Sequence, residues 1–402
     1  MSKVKIIPDL RFPEFENEGE WDKPKLSSVS DVIMGSSPSS LSYNENKIGL
    51  PLLQGNADIK NRLSTPRIYT TEITKECEIG DILLSVRAPV GTVAKSLHNA
   101  CIGRGISALS AKKPNSQEYI YQWLFSYESS WAKISQGGTF DAVNSDDIKN
   151  LLVPIPKPKE QQKIASCLSS LDALITAQSE KIEQLKLHKK GLMQNLFPQE
   201  GEKVPKYRFK EFEKKWEKVK LKDVSTYFNG GSYENDVKED GKYELITLKS
   251  INKYGQLVNS NRYIDIEVAT LSIGTLVMIL SEQAPGLLGM TAIIPENNKY
   301  VLNQRVAEIR PNQKVICFFL SMAINRNQVY FSKQGAGMKV QNITKPNVEN
   351  YEFLVPEINE QQKIASCLSS LDALITAQAE KIEQLKLHKK GLMQGLFPKI
   401  NE

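Results

Sequence analysis

Hydrophobic residues follow a strict heptad spacing in one stretch of the chain, residues 160–198. Ten positions there are separated by 4, 3, 4, 3, 4, 3, 4, 3 and 4 residues. They are Ile164, Leu168, Leu171, Ile175, Gln178, Ile182, Leu185, Lys189, Leu192 and Leu196. This seam is typical of a coiled-coil helix. Pro158 and Pro198 flank it, and because proline cannot continue a helix, they predict its ends.

The same stretch occurs a second time, 200 residues later. Residues 360–398 repeat the 39 residues of 160–198, with changes only at Ser179/Ala379 and Asn195/Gly395. Each copy predicts a rod of about 57 Å at 1.5 Å per residue. Heptads alone favour a generic oligomerising coiled coil, whereas two equal rods in one polypeptide favour pairing within the chain.

Polar residues in the seam predict the direction of that pairing. If the copies paired in parallel and in register, Lys189 would lie against Lys389, which places like charges together in a dry seam. Antiparallel pairing separates the two lysines. It also returns the chain towards its beginning, as is common for compact domains. We therefore expect an intramolecular antiparallel pair.

Each predicted rod follows a segment of mixed structure. Runs such as "DILLSV", "VGTVAKS", "YELITL" and "LVMIL" predict strands. Sparse landmarks recur in both segments: "LRFPEF" as "YRFKEF", and "IGDILLSVRAPVGTVA" as "IGTLVMILSEQAPGLLGMTA". An aromatic helical stripe near the end of each segment is expected to be core rather than a platform for stacked bases. The chain is therefore interpreted as one unit repeated, with boundaries at 1–158, 159–198, 199–358 and 359–402.

Composition is that of an ordinary soluble protein. The 402 residues are 40% hydrophobic and 24% charged, and the apolar runs are shorter than the ~20 residues of a membrane span. The five cysteines are scattered, which favours a reducing compartment. Together with an N-terminus that lacks signal-peptide features, this predicts a cytoplasmic protein. A net charge of +6 permits a polyanionic partner without requiring one.

The stretch "SQGGTFDAVNSDDIKNLLVPIPKPKEQQKIASCLSSLDALI" carries a family resemblance. A Gly-rich loop, an Ile/Val-Pro strand end, "EQQKIA" and "LD.LI" occur twice at the same separation, and the chain resembles the DNA-specificity subunit of a type I restriction-modification enzyme over essentially its whole length. The resemblance implies an α+β fold with two mixed α/β target-recognition domains, joined by two long antiparallel coiled-coil helices with internal pseudo-twofold symmetry.

The resemblance also implies a function and a set of partners. Each domain would read one half of a split sequence in double-stranded DNA, with a fixed spacer between the halves. Two methylation subunits and two restriction (motor-nuclease) subunits would join the chain. S-adenosylmethionine, ATP and magnesium would belong to those partners, and this chain would hold neither a cofactor nor a catalytic residue. The sequence itself contains no "GxxxxGK[ST]" phosphate loop, no adenine-methylation motif and no zinc-ligand cluster.

Side chains that pair bidentately with bases are the candidates for DNA contacts, mainly Arg or Lys with guanine and Asn or Gln with adenine. In the first domain they are Gln54, Asn56, Lys60, Asn61, Arg87, Arg104, Gln136, Thr139 and Asn144. In the second they are Lys249, Asn252, Lys253, Gln283, Arg305, Lys339 and Gln341. For each, a solvated surface residue or a phosphate contact is the alternative. The glycines at 137–138, 335 and 337 are consistent with either a phosphate loop or a plain turn. Because the domains differ where bases would be read, the target is expected to be asymmetric.

Apolar residues off the seam are candidates for partner binding. They are Leu174, Leu187, Met193 and Phe197, with Leu374, Leu387, Met393 and Phe397 in the second copy. Contact with the chain's own domains is an equal alternative. Two other functions also stay open: a specificity chain of a related bifunctional restriction-methylation enzyme, and a coiled-coil scaffold that binds no DNA.

Overall fold

The computed structural model describes residues 6–135, 142–282, 286–335 and 340–398. The chain forms two compact units. Unit 1 comprises residues 1–180 and 379–402, and unit 2 comprises residues 181–378. Because both divisions fall inside the long helices, each unit contains the first part of one helix and the last part of the other. Among the described residues, no helix has the length and apolar character needed to span a membrane.

Unit 1 contains a sheet-rich domain that is followed by the first long helix. Its strands are β1 (Ser30–Met34), β2 (Tyr43–Asn44), β3 (Leu50–Leu53), β4 (Ile59–Lys60), β5 (Leu63–Ser64), β6 (Ile68–Thr70), β7 (Glu76–Cys77), β8 (Ile82–Ser85), β9 (Val93–Lys95), β10 (Ala100–Ile102) and β11 (Ile106–Ala111). Its helices are α1 (Leu26–Val29), α2 (Gln117–Ser135), α3 (Ser145–Lys149) and the start of α4 (Pro158–Asn195).

Two sheets form the domain of unit 1. The six-stranded sheet has the order β1-β11-β8-β9-β5-β4, and the five-stranded sheet has the order β2-β6-β3-β10-β7. Neighbours are antiparallel except for β3 with β10 and β5 with β9. All four residues of β8 are buried, as its continuous apolar run predicts. The strands expected from "DILLSV" and "VGTVAKS" are confirmed.

Unit 2 repeats this plan with different side chains. Its strands are β12 (Glu217–Lys220), β13 (Ser225–Asn229), β14 (Tyr243–Ile246), β15 (Tyr263–Ile264), β16 (Leu276–Ile279), β17 (Ser281–Glu282), β18 (Thr291–Ile293), β19 (Tyr300–Leu302), β20 (Val306–Pro311), β21 (Gln341–Asn342) and β22 (Glu352–Val355). Its helices are α5 (Leu221–Val224), α6 (Cys317–Asn325), α7 (Gln328–Gln334), α8 (Lys345–Glu349) and part of α9 (Ile358–Leu396).

The sheet order in unit 2 matches that in unit 1. The order β13-β20-β16-β18 corresponds to β1-β11-β8-β9, and β14 pairs in parallel with β19 as β3 does with β10. The strands expected from "YELITL" and "LVMIL" are confirmed as β14 and β16. The prediction of a repeated mixed α/β domain is therefore correct.

The aromatic residues of α2 and α6 are core residues. Tyr119, Trp131 and Phe319 are fully buried. Tyr119 packs edge-to-face on Phe397, which follows α9, with ring centroids 5.6 Å apart. Phe319 stacks on Phe197, which follows α4, at 5.2 Å. Each unit thus buries the end of a long helix against its own aromatic helix, and the expectation of core rather than stacking platform is confirmed.

The long helices pair in antiparallel fashion within each unit. In unit 1, Lys389 near the end of α9 donates to both carboxylate oxygens of Asp172 near the start of α4, at 2.6 and 2.7 Å. In unit 2, Lys189 makes the same pair of bonds with Asp372. The predicted direction is confirmed, and each seam lysine has a carboxylate partner that the heptad pattern did not identify.

The two seam lysines have different surroundings. The side chain of Lys389 is 6% exposed and lies 4.6 Å from the ring centre of Phe125, whereas that of Lys189 is 20% exposed. Burial lowers the pKa of Lys389, although the hydrogen bond that Lys389 donates to Asp172 opposes this change. The same helix sequence is therefore packed more tightly in unit 1 than in unit 2 at this position.

The first turn of each long helix contains a buried glutamate that is bonded to an arginine. Arg11 donates to both oxygens of Glu160 at 2.8 Å, and Arg208 donates to both oxygens of Glu360 at 2.9 and 2.8 Å. Both glutamates are 1% exposed. The arginine of each recurring "RF" and the glutamate of each "EQQ" therefore form the same bidentate ion pair in both units.

The glutamine after each glutamate joins the helix to its domain. Gln161 Oε1 accepts from the Ser116 backbone N–H at 2.9 Å, and its Nε2 donates to the Pro156 carbonyl at 2.9 Å. Gln361 makes equivalent bonds in unit 2. These bonds fix the start of each helix to the loop that precedes α2 or α6.

Candidate nucleic-acid interface

The candidate residues of unit 1 lie mainly on loops that follow strands β3, β8 and β10. The backbone N–H of Gly103 donates to the Leu53 carbonyl at 2.8 Å, and that of Val143 donates to the Val86 carbonyl at 3.0 Å. The first bond joins the loops after β3 and β10, and the second joins the loop after β8 to the segment before α3. The Val86 backbone N–H also donates to the Gly105 carbonyl at 3.0 Å, which links the two pairs. We call this set the first loop cluster: residues 54–56, 87–90, 103–105 and 142–144. It brings together Gln54, Asn56, Arg87, Arg104 and Asn144.

Three of these side chains are held by neighbours in the domain. Gln54 Nε2 donates to the Tyr43 hydroxyl at 2.8 Å. Asn56 Nδ2 donates to the Pro89 carbonyl at 2.7 Å, and Asn144 Oδ1 caps α3 by accepting two backbone N–H groups. Arg87 and Arg104 are exposed. The two arginines therefore present guanidinium groups on a loop frame that the other residues stabilise.

Lys60 and Asn61 lie apart from the first loop cluster, on the β4–β5 hairpin. Asn61 has a φ of +50°, a left-handed conformation that asparagine adopts more readily than most residues. The next residue, Arg62, pairs with Glu128 of α2 at 2.9 Å, and Glu128 also accepts from the Val93 backbone N–H at 2.6 Å. The hairpin is thus fixed over α2, with the exposed Lys60 at its tip.

Unit 2 has an equivalent second loop cluster: residues 247–249, 281–282, 303–305 and 341–343. The backbone N–H of Asn303 donates to the Ile246 carbonyl at 3.1 Å, and that of Ile343 donates to the Leu280 carbonyl at 2.9 Å. These are counterparts of the two bonds that define the first loop cluster. The second loop cluster contains Lys249, Arg305 and Gln341.

The remaining candidates of unit 2 form a turn equivalent to the β4–β5 hairpin. Asn252 Oδ1 accepts from the Tyr254 and Gln256 backbone N–H groups at 2.9 and 3.1 Å. Lys253 is exposed and lies 5.2 Å from the ring centre of Tyr254. In both units the described candidates therefore lie either in the loop cluster or in the neighbouring hairpin or turn, although the sequences of these segments differ.

Four candidates, Gln136, Thr139, Gln283 and Lys339, lie outside the described residues. So do the glycines at positions 137, 138 and 337.

The sequence did not identify several residues that shape the loop clusters. Asn303 is 2% exposed and donates to Glu234 Oε1 at 2.8 Å, and Arg262 also pairs with Glu234. The hydrogen bonds from Asn303 and then Arg262 lower the pKa of Glu234. Because these residues are 28 to 69 positions apart in the chain, no local motif could reveal the set.

The candidate partner-binding residues fall into two groups. Leu174, Leu187, Leu374 and Leu387 are 39%, 61%, 55% and 67% exposed. Met193 is partly buried, while Phe197, Met393 and Phe397 are buried in the cores of the two units. The second group therefore contacts the chain's own domains. In the described ranges no group of three His, Cys, Asp or Glu residues is arranged to hold a metal ion.

A family model described as "Type I restriction modification DNA specificity domain" matches the chain twice, over residues 18–187 and 213–387. Among curated proteins of Methanocaldococcus jannaschii, the putative type I restriction enzyme MjaX specificity subunit is 34% identical over 177 residues, which are 43% of this chain and 42% of that protein. The type I restriction enzyme MjaIX specificity subunit is 25% identical over an alignment of 407 residues, covering 95% of this chain and 92% of that protein.

The fold is also similar to that of solved structures. The crystal structure of the type I restriction-modification system S subunit from M. genitalium is matched over 98% of this chain and 100% of that chain, with 16% identity and a TM-score of 0.64. A structure concerned with assembly and conformational transition of the type I R-M system matches over 94% of this chain and 97% of that chain, with a TM-score of 0.59.

Proposed function

The chain belongs to the family of type I restriction modification DNA specificity proteins, and from that premise we propose that its two recognition domains read the two halves of an asymmetric, bipartite DNA target. The observation that carries this proposal is the pair of loop clusters. Equivalent backbone bonds build the same frame in each unit, while the side chains on the frame differ. Because the backbone frame is shared and the side chains on it differ, the two domains are suited to bind DNA in the same way while recognising different sequences.

Base reading is assigned to the exposed cations and amides of these clusters. Arg87 and Arg104 in the first loop cluster, and Arg305 in the second, have the fork of donors that pairs with guanine O6 and N7. Lys60, Lys249 and Lys253 are also exposed and suit either a guanine or a phosphate. The DNA target is expected to be asymmetric because unit 2 has no arginine at the positions that match Arg87 and Arg104.

The long helices are proposed to fix the spacer between the half-sites. The 38 residues of α4 and 39 of α9 each give a rod of about 57 Å at 1.5 Å per residue. A buried ion pair fixes the start of each rod, and an aromatic contact fixes its end, so the rods are suited to hold a constant separation. Half-sites one helical turn apart are separated by about 34–36 Å.

Partner binding is assigned to the exposed leucines that the two helices share. Leu187 and Leu387 are 61% and 67% exposed. Because two nearly identical helices present the same leucine, each copy is suited to bind one of two identical methylation subunits. Two restriction subunits complete the complex, and methyl transfer, ATP hydrolysis and cleavage with their cofactors are assigned to the partners rather than to this chain.

Selection from a random duplex library tests the proposal. The chain is purified with a methylation subunit, bound duplexes are sequenced, and the methylation subunit alone is the control. The expected result is one split motif with unlike halves and a constant gap. Absence of any enriched sequence would instead favour the scaffold alternative, and a continuous or palindromic motif would contradict the two-domain reading.

A further inference from the structure

The loop after β16 in unit 2 is longer than its counterpart after β8 in unit 1. Gly91 N–H donates to the Ser85 carbonyl at 2.8 Å, and Gly289 N–H donates to the Ile279 carbonyl at the same distance, so these bonds close equivalent loops. Five residues lie between the bonded positions in unit 1 and nine in unit 2. Of the nine, residues 283–285 lie outside the described residues, and Glu282 belongs to the second loop cluster.

Glu282 binds the backbone near the C-terminal end of this longer loop, at residues 286–288. Its Oε2 accepts the backbone N–H groups of residues 286, 287 and 288 at 3.0, 2.7 and 2.8 Å. Three consecutive donors on one carboxylate oxygen are charge-assisted bonds that fix the backbone direction. Glu282 therefore helps to fix the direction of the backbone at residues 286–288.

The carboxylate is also placed at an energetic cost. Glu282 is 6% exposed, and its Oε1 is buried without a hydrogen-bond partner among the described residues. An unsatisfied buried oxygen on an acidic group opposes folding.

The position of Glu282 connects the loop to the candidate base readers. Glu282 pairs with Gln341 in the β17–β21 register, and the preceding Leu280 N–H donates to the Arg305 carbonyl at 2.9 Å. A shift of the Glu282 backbone would therefore move residues on both sides of the second loop cluster. In unit 1 the shorter loop is held differently, by Asn56 Nδ2 on the Pro89 carbonyl.

We propose that Glu282 is a positioning residue that sets the sequence preference of the second half-site, because it fixes residues 286–288 and is itself paired with Gln341 of the second loop cluster. The proposal rests on the proposed function of the chain. Beyond that function, the proposal assigns a role to Glu282, which would contact no base itself and would affect recognition of the second half-site alone.

The test compares wild type, Glu282→Ala and Glu282→Gln, each purified with a methylation subunit. Dissociation constants are measured for the selected duplex, for duplexes with single substitutions in the second half-site, and for duplexes with single substitutions in the first. Discrimination at the first half-site is the internal control. Thermal unfolding shows that each variant is folded.

Glu282→Ala is expected to reduce discrimination at the second half-site roughly ten-fold, which is the scale of one mismatched base pair, and to leave the first half-site unchanged. Glu282→Gln keeps an acceptor without the charge, so its discrimination is expected to be intermediate. It also provides the measurement if the alanine variant does not fold.

Two results would overturn the proposal while leaving the proposed function intact. One is an equal loss of affinity for every duplex, because it would reduce Glu282 to a stabilising role. The other is an unchanged preference at the second half-site in both variants. Wild-type protein that discriminates at neither half-site would overturn the proposed function itself, so the two failures are distinguishable.

Discussion

At the scale of single residues, the repeated helix differs at two positions, and one of them contacts the N-terminal segment. The Leu10 backbone N–H donates to the Gly395 carbonyl at 2.8 Å, and a Cβ on Gly395 would come within 2.9 Å of Leu10 Cβ. The equivalent Asn195 accepts from the Tyr207 backbone N–H at 2.8 Å. The glycine therefore allows the N-terminal segment to lie close to the end of α9.

Gly395→Ala is expected to destabilise the chain by about 1–3 kcal/mol, because Leu10 Cβ is next to the backbone and cannot move away cheaply. Gly391→Ala is the matched control, since nothing lies within 4 Å of that position. The control is expected to stabilise the helix by about 0.5–1 kcal/mol. Urea unfolding of the full chain measures both, and equal stabilisation by the two alanines would contradict the close approach.

Arg11→Ala is expected to lower the free energy of unfolding by about 3–5 kcal/mol, because it leaves Glu160 buried without its charge partner. Arg208→Ala should cost about 1–2 kcal/mol less. The reason is that Trp216 Nε1 still donates to Glu360 at 3.2 Å, whereas Trp21 Nε1 has no partner among the described residues. Denaturant unfolding compares the two variants, and equal losses would count against the role of Trp216.

The sequence showed which residues recur in the two units, but it did not show which residues contact each other. The recurrence of "RF" and "EQQ" was visible, but the pairing of Arg11 with Glu160 spans 149 residues and follows from no local rule. Base-pairing residue types could be chosen, yet the bonds that hold Asn144 as a helix cap or Gln54 on Tyr43 appear only in three dimensions. Glu282 had no sequence signal, because a lone glutamate in a loop is ordinarily a solvated residue.

At the scale of elements, the heptad spacing of hydrophobic residues predicted the long helices. The helix predicted between Pro158 and Pro198 corresponds to α4, Pro158–Asn195, which includes Pro158 because proline is tolerated in the first turn. Like-charge repulsion between seam lysines predicted the antiparallel direction correctly. The Asp172 and Asp372 partners were not predicted, since a polar residue beside the seam is expected to be a solvated flank position.

A charge exchange tests the helix register in unit 1. Asp172→Lys alone is expected to place two lysines together and to destabilise the chain, because Lys389 is nearly buried. Adding Lys389→Asp should recover most of that loss, whereas adding Lys189→Asp should not. Unfolding of the single variant and the two double variants gives the coupling energies. Equal losses in the two double variants, or recovery with Lys189→Asp, would contradict the contact between Asp172 and Lys389.

At the scale of the whole molecule, the chain is one domain-plus-helix plan used twice. The sequence-based division gives each helix a segment of its own, while each compact unit takes part of both helices. The difference arises because residues as distant as Asp172 and Lys389, 217 positions apart, contact each other. The repeat showed that two units exist, and the fold shows which parts of the chain complete each one.

Removing one heptad from both helices, residues 177–183 and 377–383, keeps the seam in phase and shortens each rod by about 10.5 Å. The tolerated DNA spacer is expected to shrink by about three base pairs, at 3.4 Å per pair, while both half-site sequences stay the same. Library selection with the shortened chain measures the gap directly. An unchanged spacer would show that the helices do not set the spacing.

The most direct test of the central claim is genome-wide mapping of methylated adenines in cells that carry this chain and its methylation subunit. Cells that lack the chain serve as the control. The expected result is a single methylated motif with two unlike half-sites separated by a constant, unread spacer, and no such motif in the control. A palindromic or uninterrupted motif, or methylation that does not depend on the chain, would contradict it.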